Sequence, residues 1–238
     1  MKDNTKNILY NISRVIENDT RNKYLFFASK FNKNNYRVIT NAELAIRGKD
    51  LELPFYVRDF IKDNSEVILI CNNIKDNTNG ILLRSVYKKE FCNYGFGKGM
   101  FYGIGDLTPD FKYGDVIVLV EGAIDRDVCA TFITKNCLAV LTSQMSNNQV
   151  EFIKRLTNRI ILLMDNDEAG IKGENSIIRK LKGSGINVYQ IPKSPRIKDL
   201  GDLIDLLRFD IYNFNDIINM YRTNISVYGG VLNANTPV

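Results

Sequence analysis

Histidine is absent from the 238 residues. Its absence excludes Ser-His-Asp and Cys-His nucleophile systems, histidine general bases and every histidine-ligated zinc site. Cysteine is scarce: Cys71, Cys92, Cys129 and Cys137 form no C-x-x-C pair, so neither zinc nor a disulfide framework is expected. No apolar run reaches the ~18 residues of a membrane-spanning helix, and no membrane association is expected. The amino terminus, MKDNTKNILYNISRVIEND, is polar and does not read as a secretory signal, so a cytoplasmic location is the expectation. Any catalysis then falls to carboxylates, Lys or Arg, hydroxyls, or a metal held by oxygens. Such ligands suit Mg²⁺ or Mn²⁺.

What is present is ordinary globular material: 45% hydrophobic and 25% charged residues, enough for one large domain or two small ones. The net charge of +5 hints at an anionic partner. One stretch organises the chain, RIILLMDNDEAGIKG at 159–173. Ile160–Met164 reads as a strand buried on both faces, and it runs into Asp165-Asn166-Asp167 where a helix begins. In parallel α/β folds the carboxyl ends of strands collect ligands and chemistry. Alone, Asp-x-Asp reads first as a turn or an N-cap.

Upstream, residues 1–40 carry apolar positions at helical spacing (Ile8, Ile12, Val15, Ile16, then Tyr24, Phe27, Phe31) and predict two helices. Asn41–Leu44 looks like a capped helix start, and Pro54–Ile61 like another amphipathic helix. Glu66–Cys71 and Ile81–Tyr87 read as paired strands, with Asn79-Gly80 as the hairpin signal. Residues 88–105 are glycine-rich, aromatic and basic, and Gly97-Lys98-Gly99 lacks P-loop spacing. Two readings stand for this segment: a flexible surface loop, or a loop touching nucleotides or nucleic acid.

From Asp115 the pattern becomes regular. Predicted strands are Val116–Val120, Cys137–Leu141, Ile160–Met164 and Ile186–Ile191. Helices follow at Ile124–Phe132, Ser146–Leu156 with Ser146 as N-cap, and Ala169–Lys182, closed by Gly183-Ser184-Gly185. Alternating β and α elements predict a parallel sheet with right-handed crossovers. Glu121 stands at the first strand end, Asp165 and Asp167 at the third, and Lys198-Asp199 and Asp202 after the fourth. Parallel strands bring these ends to one edge, where the carboxylates converge if the first and third strands are neighbours. Grouped carboxylates repel in low dielectric unless a cation binds among them.

VIVLVEGAID, IILLMDNDEAG and KDLGDLIDL together resemble the Toprim domain shared by topoisomerases, primases and some nucleases. Within that superfamily the chain is most similar to the catalytic core of bacterial- and phage-type DNA primases. Ile81–Arg84 with Lys88-Lys89-Glu90-Phe91, the GKGMFYG segment at 97–103, and Leu141-Thr142-Ser143-Gln144 with Gln149 carry that further likeness. It spans roughly residues 80–210, with a fainter echo in 40–80.

The resemblance implies an α/β fold: a Toprim-type, four-stranded parallel sheet flanked by helices (113–212), a smaller N-terminal α+β subdomain (1–112), and a C-terminal helix and tail (213–238). It implies catalysis by Glu121, Asp165 and Asp167, and a Mg²⁺ or Mn²⁺ site, two-metal in the family, held by Glu121, Asp125, Asp165, Asp167 and Asp199. Arg84, Lys89 and Lys98 become the residues contacting nucleotide or template. The implied activity is that of a DNA-directed RNA polymerase of primase type, a nucleotidyltransferase making short RNA primers in DNA replication. Its partners would be a single-stranded DNA template and ribonucleoside triphosphates, with a replicative helicase or a separate zinc-binding protein as further ones. Primases usually add a zinc module and a helicase-binding region, for which this sequence has no cysteine cluster and no room, so a stripped, phage-type core is the expectation. In a phage that places the protein in the bacterial host cytoplasm. A Toprim nuclease and a non-catalytic nucleic-acid-binding replication protein are the alternatives.

Overall fold

The computed structural model describes residues 21–31, 36–40, 53–74, 77–86, 88, 90–96, 100–142 and 144–229. The chain forms two compact units, Met1–Asn72 with Thr78–Gly95, and Asn73–Asn77 with Phe96–Val238.

In the first unit, helix α1 (21–30) precedes strand β1 (Tyr36–Thr40). Helix α2 (Phe55–Asp63) then leads into β2 (Glu66–Ile74), β3 (Asn77–Ser85) and β4 (Phe91–Tyr94). The sheet order is β1-β2-β3-β4, with β1 antiparallel to β2 and β3 antiparallel to β4. Val57 and Ile61 of α2 bury against Val67 and Leu83. Phe27 of α1 is buried and meets the Tyr36 ring edge-on, 6.0 Å between centroids. Of the two helices predicted within residues 1–40, the part around Tyr24–Phe31 is α1; Ile8–Ile16 and the capped start at Asn41–Leu44 lie outside the described residues. β1 was not anticipated. Asn79-Gly80, expected at the hairpin reversal, lies inside β3, because ladder hydrogen bonds continue through polar positions once a partner strand is in register.

The second unit is the parallel α/β layer. Its strands are β5 (Val116–Val120), β6 (Cys137–Ala139), β7 (Arg159–Leu162) and β8 (Asn187–Gln190), in the order β6-β5-β7-β8. All three pairings are parallel. β5 is buried along its whole length, as its unbroken VIVLV run requires. The crossover helices are α3 (Ala123–Phe132), α4 (Asn147–Leu156) and α5 (Glu168–Leu181); α6 (Leu203–Phe209) and α7 (Ile211–Gly229) follow β8. Ser146 caps α4 in a full capping box with Gln149. Beyond α5, Gly183 and Gly185 take φ of +76° and +82°, a left-handed exit that glycine permits without strain. One sheet face buries Ile117, Leu119, Leu138, Ile160 and Leu162 with Val150, Ile153, Ile177 and Leu181 of α4 and α5.

The division between units falls after Gly95, where a boundary at residue 112 was expected. Phe101 and Tyr102 are the cause: both are buried, and Tyr102 forms an antiparallel bridge with Ala139 on the outer side of β6. α7 begins two residues before the expected C-terminal helix and tail (213–238) and packs into the same unit through Phe214, whose ring meets Phe132 edge-on at 5.0 Å.

Candidate active site

β5 and β7 are hydrogen-bonded neighbours, so Glu121 and Asp165 leave the sheet side by side at its carboxyl edge. Asp125 joins them from the first turn of α3. A Cβ on Gly122 would lie 2.6 Å from the Asp125 carboxylate, so glycine at the strand–helix junction leaves that carboxylate its place. Asp167 is the N-cap of α5 and accepts the Gly170 amide at 2.9 Å. Gly170 is confined more tightly still: a Cβ there would fall 2.1 Å from the Asp165 carbonyl oxygen. Asp199 accepts the Asp202 amide at 3.1 Å, while Asp125 accepts the Gly201 amide at 2.9 Å. Glycine at 201 lets the turn after β8 approach both carboxylates. Asp202 accepts the Lys198 amide at 2.7 Å and so closes that turn on itself.

The loops that carry these groups are zipped to one another. The Asn166 amide donates to the Lys198 carbonyl at 2.6 Å, and the Asn166 side chain donates to Ser194 at 3.2 Å. Leu141 holds φ of +64°, a region an L-residue rarely enters, and its amide donates to the Glu121 carbonyl at 2.9 Å. Gln149 is buried and donates to both Met100 (3.1 Å) and Val140 (3.0 Å), drawing residue 100 to this edge.

Charge at the edge is unbalanced toward the negative. Burial, then the nearby Asp199, Glu121 and Asp167 carboxylates, push Asp165 up to about 7 against the partial relief of Lys198. Burial, Asp199 and Asp165 hold Asp125 well above the usual carboxylate range, opposed by the Gly201 amide. Asp167 moves the other way, lowered by the Gly170 amide and by Lys198, whose ammonium lies 2.9 Å away. Groups that resist ionisation together are the electrostatic setting that a divalent cation relieves. The donors are all hard oxygens, which fit Mg²⁺ or Mn²⁺ in chemistry and charge. Asp125, Asp167 and Asp199 accept backbone amides and Asp167 also faces Lys198; among the described residues no group of three or more acidic or cysteine side chains is already placed to hold a metal ion.

All five sequence-predicted carboxylates thus sit on this edge. Of the three predicted basic residues, Arg84 lies on β3 of the first unit, its guanidinium between the rings of Tyr24 (4.9 Å) and Phe91 (5.1 Å); Lys89 and Lys98 lie outside the described residues.

Two charged groups near the edge escaped the sequence reading. Glu174 of α5 and Lys193 after β8 form a buried ion pair of 2.6 Å. Arg126 of α3, 1% exposed, binds Asp127 (2.9 Å) and Asp106 (2.7 Å) and donates to the carbonyls of Cys137 and Gly103. A signal for both existed: Asp127 and Glu174 fall on the apolar stripes of their helices, three residues from Ile124 and Ile177 respectively.

A Toprim-like domain family matches residues 118–204. The DNA primase of Staphylococcus aureus (strain COL) is 32% identical over 92 residues, which is 39% of this chain and 15% of that protein. The matched region therefore spans about one seventh of the curated relative. Among solved structures, the RNA polymerase domain of Mycobacterium tuberculosis primase DnaG aligns at a TM-score of 0.56 and 15% identity, covering 85% of this chain and 76% of that one. The E. coli primase catalytic core aligns at 0.50 and 12%, covering 95% and 98%. At such identities the structural likeness establishes the fold. The chain contains a Toprim-like domain and resembles primase catalytic cores in sequence and architecture.

Proposed function

We propose that this Toprim-domain protein, similar to DNA primase cores, is a metal-dependent nucleotidyltransferase that makes short RNA primers on single-stranded DNA. The observation that carries the reading is the carboxyl edge: Glu121, Asp165, Asp167, Asp125 and Asp199 gathered from three separate chain segments, with Asp165 held at about 7 by burial and its acidic neighbours. Protein side chains alone gain nothing from such an arrangement; a cationic ligand does. Glu121, Asp125, Asp165, Asp167 and Asp199 would hold Mg²⁺ or Mn²⁺. When bound, such ions polarise phosphoryl oxygens and promote attack by a primer or nucleotide hydroxyl. The fold's own part is to fix the carboxylates on strand ends and helix N-termini, and to keep Lys198 beside Asp167 as a cation for the polyphosphate region. Arg84, Lys89 and Lys98 would meet nucleotide or template. A phage replication system, a helicase or a zinc-binding partner, and a cytoplasmic setting belong to the same proposal. No helix among the described residues is long and apolar enough to cross a membrane.

Incubation with single-stranded templates, labelled ribonucleotides and Mn²⁺ tests the reading. Short RNA products, lost on Asp165→Ala, are expected. Degraded template without incorporation replaces the polymerase with a nuclease using the same carboxylates. Salt-sensitive DNA binding with neither activity leaves a non-catalytic replication protein.

A further inference from the structure

We infer that Glu174 and Lys193 are positioning residues for Asp165, acting on its backbone from beneath the site. β7 makes its last ladder pairing at Leu162, and the Leu163 amide still reaches the Leu119 carbonyl at 2.9 Å. Past that point the strand has no neighbouring ladder, yet the chain must hold Asp165 in place.

The ion pair supplies what the ladder no longer does. Glu174 Oε1 accepts the Met164 amide at 3.3 Å and the Lys193 ammonium at 2.6 Å; Oε2 accepts the Gln190 side-chain amide at 2.9 Å. Lys193 Nζ also donates to the Asp165 carbonyl at 3.2 Å. The Met164 N–H and the Asp165 C=O, one at each end of a two-residue stretch, are therefore both gripped by a single charged pair. Gly170 brings α5 against the same carbonyl, so the pair and the helix act on one peptide.

The side chains of Lys193 and Glu174 are 14% and 5% exposed. Burial of two charges costs more desolvation than their attraction commonly returns, and apolar replacement of such pairs is often neutral or stabilising. Stability is thus a poor reason for the pair, and geometry a better one. The unit is neutral overall, so it fixes Asp165 without cancelling the negative potential that the carboxylate edge presents.

The inference rests on the metal-dependent reading for one of its two readouts only. In the full chain, the double variant Glu174→Leu/Lys193→Met removes both charges together and avoids stranding either. Amide hydrogen exchange, resolved by residue, should quicken about tenfold or more at Met164 while Ile160–Leu162 keep their wild-type rates. Mn²⁺ binding, followed by the electron paramagnetic resonance of the free ion, should weaken about tenfold. An unchanged Met164 rate overturns the inference. So does a quickened Met164 with Mn²⁺ affinity kept within about twofold, which would confine the effect to the strand end. Wild-type protein that binds no Mn²⁺, with Met164 exchange still quickened in the variant, sinks the metal reading and leaves the positioning intact. Should the variant fail to fold, wild-type ¹⁵N spectra decide: slowly exchanging Lys193 ammonium protons support the buried pair, and their absence overturns it.

Discussion

Two charged clusters lie within one unit, meeting at two consecutive residues, and they are built on opposite principles. Asp125 faces other carboxylates; Arg126, its neighbour in sequence, faces two aspartates, the carbonyls of Gly103 and Cys137, and the ring of Tyr102 at 5.8 Å. Around Arg126 opposite charges meet: Tyr102 donates to Asp127 at 2.8 Å, and the aspartates keep the guanidinium charged despite its burial. Around Asp165 like charges meet, and the fold holds them together against their repulsion. The first cluster is held by its own interactions and ties the 103–106 segment to α3. The second is held by backbone amides, close glycine contacts and a neutral ion pair, and it draws on stability generated elsewhere. A single peptide bond on one helix therefore separates a group that serves folding from groups that folding serves.

The contrast breaks most visibly at Arg126. Arg126→Ala strands the buried Asp127 charge, and thermal or urea unfolding should report a loss of about 3–5 kcal/mol. A smaller loss, roughly 2–3 kcal/mol by the same measurement, is expected for Gly103→Ala. There a Cβ would fall 2.1 Å from Arg126 Nε on a residue with φ of +91°.

At the carboxyl edge the sign reverses. Asp165 has its folded value raised from 3.8 to about 7, so folding favours its protonated form. The stability tied to this group is fully present below about pH 4 and is lost as pH rises through 7. Asp165→Asn should therefore raise stability above pH 7, on the order of 1 kcal/mol after solvent screening, and flatten the pH dependence between those limits. Mn²⁺ should raise the wild-type Tm under the same conditions and leave that of the variant nearly unmoved. Equal shifts in both proteins would remove Asp165 from the metal site.

The smallest effect on stability is expected at Lys198. Its bridge to Asp167 is partly exposed, and Lys198→Met should cost no more than about 1 kcal/mol. Because Lys198 lowers Asp165, its removal should move the Asp165 titration, followed by carboxyl NMR, above its wild-type midpoint. An unmoved midpoint would separate Lys198 electrically from that carboxylate.

What the sequence disclosed follows from range. The parallel layer was legible because its signals are local: the unbroken apolar run of β5, the Ser146–Gln149 box, and the Gly183 and Gly185 exit all speak within a few residues. The carboxylates were legible as strand ends, but that β5 borders β7 is a fact of topology, which no short window contains. Arg126 and Lys193 were missed because Asp106 stands 20 residues from Arg126 and the Asp165 carbonyl 28 from Lys193, so neither full set of partners assembles until the chain is folded. In the first unit, Asn79-Gly80 carries the composition of a turn, and the pairing of β3 overrode it.

The short bridge between Tyr102 and Ala139 has one more consequence. β6 is the outermost strand of its sheet, and an outermost strand ordinarily offers a row of amides and carbonyls to any other chain. Tyr102 and Ala139 exchange both backbone bonds at 3.1 Å, which occupies that row from within the molecule. The segment that follows Gly97–Gly99 thus doubles as a stopper against intermolecular strand addition, and loosening it would be felt first as aggregation.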